Sequence, residues 1–158
     1  MAELDLVRSE PHLVKYDDVS WHAGGDFPAD LPAEAGATHI GMFVAWALMH
    51  GLAGDIHVSE FPEPLVRLCE RRTTPRQFFL EACDGKFTDE DLSELGNRFA
   101  EIYYEGGDAQ DHYFADYAAT VGAETPSIYH VADSWDTYEQ LERVIQRRFE
   151  EWQATDRT

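Results

Sequence analysis

The chain has 158 residues with 31 acidic and 12 basic side chains, for a formal net charge of −19. A hydrophobic share of 44% and an aromatic share of 13% suffice for a single folded domain and exclude a disordered polyanion, which needs low hydrophobicity as well as high charge. The acidity opposes direct binding to nucleic acid or an anionic membrane and attracts basic surfaces.

Residues 1–15 read as a loosely ordered lead-in, residues 16–154 as one globular helical domain, and residues 155–158 as a tail. The start, Met1-Ala-Glu-Leu-Asp, lacks the apolar segment of a secretory leader, and the apolar run over residues 40–52 is too short to span a bilayer. Cys69 and Cys83 form no CxxC pair and read as buried free thiols of a reducing compartment, so the expected location is cytoplasmic.

Gly24-Gly25, Pro28 and Pro32 break residues 16–35 into a structured loop. Residues 35–54 have helical spacing, with Ile40, Phe43, Val44, Ala47 and Leu48 on one stripe and Gly51 or Gly54 as the stop. Pro62 and Pro64 open the next helix, on which Glu63 and Arg67 stand four apart. Thr74-Pro75 caps a third helix that ends at Gly85. Thr88 with Asp89, Glu90 and Asp91 predicts the start of a fourth, carrying Leu92, Leu95, Phe99, Ile102 and Tyr103 and ending at Gly106-Gly107. A short helix over residues 111–121 follows, and residues 125–131 read as a strand or extended connector. Asp136 and Glu139 resemble a capping box opening the last helix. The fold class is therefore mostly α, a compact multi-helix domain with at most a small β element.

Several groupings invite chemistry. His39 and His50 share a helix face, but ~1.5 Å of rise per residue sets them roughly 16 Å apart, too far to share an ion. His22, Asp26 and His39 are the set that a metal-binding or hydrolytic site would use. No nucleophile accompanies them: Ser20 has no GxSxG elbow, neither cysteine has a histidine nearby in sequence, and no phosphate-loop lysine is present. The structural alternative has Asp26 capping amides of the Gly24-Gly25 turn and Trp21 anchoring that turn in the core. Between Tyr16 and Val66 there are eight acids and no Lys or Arg, and from Phe87 to Glu142 fourteen acids face only Arg98. Tyrosines interleave with the second group, a composition found in protein-binding faces as well as in cores. Arg67, Arg71, Arg72 and Arg76, and later Arg143, Arg147 and Arg148, read as internal counter-charges.

The segment Tyr16-Asp-Asp-Val-Ser-Trp-His-Ala-Gly-Gly-Asp-Phe-Pro28, followed by Gly36-Ala-Thr-His-Ile-Gly-Met-Phe43, resembles an uncharacterised family of small acidic bacterial proteins. The stretches around Glu81 to Asp91, Tyr103-Tyr104, Tyr113 to Tyr117 and Trp135 to Tyr138 extend the resemblance along nearly the whole chain. It implies a domain of unknown function, with an association with toxin immunity as an analogy, and it carries no catalytic residues over.

The expected function is non-enzymatic: an acidic binding protein, in particular an immunity protein docking on a cognate toxin with a basic surface. The residues expected on that face are Asp17, Asp18, His22 and Asp26, with Tyr104, Asp108 and Asp111 as a second patch. No catalytic residue, metal or cofactor is expected. The alternatives are the metal-binding or hydrolytic enzyme built on His22, Asp26 and His39, and a nucleic-acid mimic that binds a basic protein.

Overall fold

A computed structural model describes residues 14–25, 27–105 and 112–156. The lead-in up to residue 13, Asp26, the Gly106-Gly107 helix stop, Asp108, Asp111 and the last two tail residues lie outside the described residues.

The organising element is helix α1, Thr38–Met49, in which every residue from Thr38 to Leu48 is buried. Its spacing predicts a one-sided stripe. The structure instead surrounds the helix, because the sequence offers no charged residue anywhere along it. Helices α2 (Pro62–Cys69) and α3 (Pro75–Ala82) pack against it. The α1–α3 approach depends on Gly41, where a Cβ would stand 2.7 Å from the Pro75 carbonyl oxygen. Thr74 caps α3 as expected, its hydroxyl accepting from the Gln77 amide at 3.2 Å.

The small β element lies elsewhere than expected. Strand β1 (Lys15–Asp18) pairs antiparallel with β2 (Lys86–Thr88), with an irregular register between Lys15 and Asp17. Residues 125–131 form no strand: Ser127 Oγ accepts from the Tyr129 amide and tightens Ile128–His130 into a 3-10 turn. Strands of three and four residues are too short to leave a period-2 signal.

Two helix starts are also corrected. Thr88 does begin a capping box, its own amide donating to Asp91 Oδ2 at 2.9 Å, but the box closes a single 3-10 turn, Asp89–Asp91. Leu92 is extended, and helix α4 (Glu94–Tyr103) starts from a second cap, Ser93. Helix α5 spans Tyr113–Thr120, and helix α6 spans Trp135–Asp156. The cap of α6 is Ser134, which accepts from the Thr137 amide at 3.2 Å, in place of the Asp136–Glu139 box.

The core is aromatic. Phe43 on α1 meets Phe87, Phe99, Tyr103, Tyr104 and Tyr113 with ring centroids 5.0–6.2 Å apart. Edge-to-face and offset contacts of this kind add to the burial itself. Among the described residues, no helix is long and apolar enough to cross a membrane.

Candidate functional site

Burial along β1 does not alternate: Tyr16, Asp17 and Asp18 are all buried. The register irregularity turns consecutive side chains inward, as bulges do. Tyr16 finds Asn97, its hydroxyl donating to Oδ1 at 2.7 Å. Asp18 caps the following 3-10 turn, Val19–His22, by accepting from the Ser20 amide and hydroxyl at 2.9 and 2.8 Å. Asp17 is left pointing into the protein as a carboxylate.

Its two oxygens collect partners from four parts of the chain. Oδ1 accepts from the Asp18 amide at 2.8 Å and lies 2.7 Å from His22 Nε2. Oδ2 accepts from the Tyr104 hydroxyl at 2.6 Å and stands 3.5 Å from His39 Nε2, outside hydrogen-bond geometry. Burial alone raises the Asp17 pKa, but the His22 hydrogen bond, the His39 ring and Tyr104 outweigh it and hold the group well below the ordinary carboxylate range. Since an ionised carboxylate only accepts, the network assigns the His22 proton to Nε2. Nδ1 pairs with the Tyr129 hydroxyl at 2.8 Å.

His39 sits in the first turn of α1 and is 0% exposed. Its ring lies edge-on to His22 at 4.6 Å between centroids and is walled by Phe114, Tyr117 and Tyr129. Among the described residues neither ring nitrogen has a hydrogen-bond partner. Burial lowers its pKa more strongly than Asp17 raises it, which keeps the imidazole neutral. Gly36 lets the two histidines approach closely: a Cβ there would stand 3.2 Å from His22 Cβ, a tight contact that would push the Ala33–Ala37 and Val19–His22 turns apart by a few tenths of an ångström.

The structure thus brings together His22 and His39, as the metal alternative requires, but supplies Asp17 as their carboxylate. Asp26 lies outside the described residues, as do Asp108 and Asp111 of the expected docking face. Asp17, Asp18 and Tyr104, also expected on that face, are 3%, 6% and 2% exposed and have almost no surface to offer a partner. Trp21 does not anchor the loop in the core: it is 57% exposed, with the Lys15 ammonium 5.5 Å from its ring centre. Tyr129 is a further member of the cluster. No local signal marks it, because its neighbour His22 is 107 residues away. Several arginines do serve as internal counter-charges, Arg148 gripping Asp116 with two nitrogens and Arg71 reaching Glu139.

Fold and cluster together define a small helical domain built around a buried histidine–carboxylate centre. The chain belongs to the family described as a domain of unknown function, DUF7832, whose profile matches residues 15–131. That span begins at β1, ends just after the turn carrying Tyr129, and contains every member of the cluster. No curated protein and no solved structure matched the chain.

Proposed function

We propose that this chain is a metal-binding protein in which Asp17, His22 and His39 ligate one divalent transition-metal ion. The observation that supports this reading is His39, a fully buried imidazole without a hydrogen-bond partner among the described residues. A buried polar group left unpaired costs about 1–3 kcal/mol, and a ligand is one means of recovering that. One ligand atom from each of the three residues lies within 4.8 Å of the others. Metal–nitrogen and metal–oxygen bonds of about 2.0–2.2 Å bring ligand atoms to such spacings with little movement. The surroundings resemble an outer shell: Tyr129 fixes the far nitrogen of His22, while Tyr104 and the Asp18 amide hold the carboxylate. On binding, the ion would replace the His22–Asp17 hydrogen bond, with the His22 proton moving to Nδ1 or to solvent. Two imidazoles and a carboxylate suit zinc, iron(II) or manganese(II). The enclosure of Asp17 and His39 favours a structural or storage role over turnover of a substrate.

Metal analysis of the purified chain, and zinc, iron(II) and manganese(II) titration after chelation, test the reading. One equivalent bound, with affinity falling at least about tenfold in His39→Ala and His22→Ala variants that keep their far-ultraviolet circular dichroism, is the expected result. No metal as purified and no uptake after chelation would overturn it and leave His39 to an internal water.

The docking reading keeps one supporting observation, on a different face. Val58, Phe61 and Val66 are 55%, 63% and 49% exposed within nine residues of sequence, beside Glu60 and Glu63. An apolar centre whose rim carries Glu60 and Glu63 together with Arg67 and Arg72 suits a protein partner of matching mixed charge, and an immunity role would use it. Binding to the product of the adjacent reading frame, weakened both by salt and by Phe61→Asp, is the outcome this second reading requires. Binding indifferent to both would sink it.

A further inference from the structure

A second convergence lies away from the first centre, where three segments meet. His57 projects from the π-turn Ile56–Glu60, Cys83 is the residue that ends α3, and Asp91 closes the 3-10 turn before α4. Gly54 makes the meeting close. A Cβ there would stand 2.3 Å from the Glu90 carbonyl oxygen, and its amide donates to the Asp91 carbonyl at 3.0 Å. The turn bearing His57 is thereby fastened to the turn bearing Asp91, with Ala53 and Leu92 paired beside it. On the third side, Asp84 and Gly85 take left-handed backbone (φ 56° and 73°), reversing the chain immediately after Cys83. A non-glycine residue in that conformation is held there by its surroundings.

The geometry is that of ligands, and a catalytic triad would be arranged differently. His57 Nε2 is 2.8 Å from Asp91 Oδ1 and 3.9 Å from Cys83 Sγ. One ring nitrogen cannot donate to the carboxylate and accept from the thiol at once, and a Cys–His–Asp triad uses opposite nitrogens for the two partners. Three donor atoms, one from each residue, lie within 4.8 Å of one another. Asp91 Oδ2 is already held by the Thr88 amide, which fixes the carboxylate and leaves Oδ1 turned toward the other two. Of the three residues, His57 alone lines a surface depression of about 280 Å³, with Phe61, Pro64 and Glu81.

We propose that His57, Cys83 and Asp91 form a second, thiolate-containing site for a divalent transition metal, zinc by preference. Binding forms metal–sulfur, metal–nitrogen and metal–oxygen bonds with no change of oxidation state. The Cys83 thiol releases its proton to solvent, and the His57 proton moves from Nε2 to Nδ1. A soft sulfur beside nitrogen and oxygen distinguishes this site from the first, which offers no sulfur. The proposal stands whether or not the first centre binds metal.

Cobalt(II) titration of the chelated full-length chain reads the difference. A Cys69→Ser background removes the exposed thiol. Near-ultraviolet thiolate-to-cobalt absorption should rise to one equivalent, disappear in Cys83→Ser and persist in His39→Ala. Affinity should fall at least about tenfold in His57→Ala. Stoichiometric zinc should also slow alkylation of Cys83 at least about tenfold, a measurement that needs no variant at the site. Cobalt uptake without thiolate absorption, or alkylation indifferent to zinc, would overturn the assignment.

Discussion

His39 is a buried imidazole whose nitrogens find no hydrogen-bond partner among the described residues, so its replacement separates two accounts of why it is there. In metal-free protein, His39→Phe exchanges an unpaired polar group for an apolar ring among Phe114, Tyr117 and Tyr129. Urea unfolding should then show stability unchanged or higher by up to about 1–3 kcal/mol. With saturating zinc the difference shifts toward the wild-type chain by the linkage term of this centre, about 2.7 kcal/mol at a hundredfold excess over Kd, while a second zinc site retained by both chains would cancel. A variant destabilised equally with and without zinc would show that His39 is held for packing. Asp17 yields a pH prediction in metal-free protein. Its pKa is lower folded than unfolded, so its contribution is complete above the unfolded value, ordinarily 3.8. That contribution is lost progressively as the pH falls below that value. Asp17→Asn should therefore flatten the acid limb of stability against pH, and an unchanged limb would place the acid sensitivity elsewhere. Part of this centre was legible: His22 and His39 stand in the densest motif of the sequence. Asp17 is expected on a docking face, since no local pattern announces the register irregularity between Lys15 and Asp17 that sets it beside Tyr16 in the interior, while Asp18 is occupied in capping the next turn.

At the scale of elements, helix-start chemistry was visible but its consequence was not. Thr74 caps a helix, whereas the equally good signal at Thr88 closes one turn, because Leu92 is drawn into extended backbone beside Ala53. The choice was made by a contact nearly forty residues distant in sequence, which local patterning does not contain. The central helix shows the same limit from the other side. Its period is plain, yet what separates a helix buried on all faces from one buried on a single face is the lack of charge between the stripe positions. Gly41 adds to that signal, since it marks where a second backbone comes close. In Gly41→Ala the new methyl would meet main-chain atoms of Pro75 and Arg76 at 2.7–3.0 Å. Those atoms cannot rotate away. Overpacking should cost about 1–3 kcal/mol despite the higher helix propensity of alanine, read as a lower urea midpoint at unchanged m-value. A stabilised variant would mean that α3 can slide on α1 without loss.

For the molecule as a whole, composition predicts one folded domain and residue spacing makes it mostly helical, and the aromatic interior makes clear why so acidic a chain can fold. The buried rings around Phe43 lie inside, and among the described residues the acids other than Asp17, Asp18, Asp91 and Asp116 reach the surface. The surplus of acids over bases sets the last prediction. Some ion pairs are close and partly sheltered, Arg148–Asp116 above all, with nitrogen–oxygen distances of 2.8 and 3.0 Å, and such pairs are weakly screened by salt. With 31 acids against 12 bases, most remaining charge–charge terms are repulsive, lie at the surface and are strongly screened. Added salt therefore removes more repulsion than attraction. In the presence of a chelator, so that neither proposed metal site contributes, raising sodium chloride from about 0.05 M to about 0.5 M shortens the screening length from roughly 14 Å to roughly 4 Å. The urea midpoint should rise. Tetramethylammonium chloride at the same ionic strength should raise it equally, since screening does not depend on which cation does it. A rise confined to one cation would point to specific binding at the surface, and a fall would show that the ion pairs outweigh the repulsion that the sequence displays.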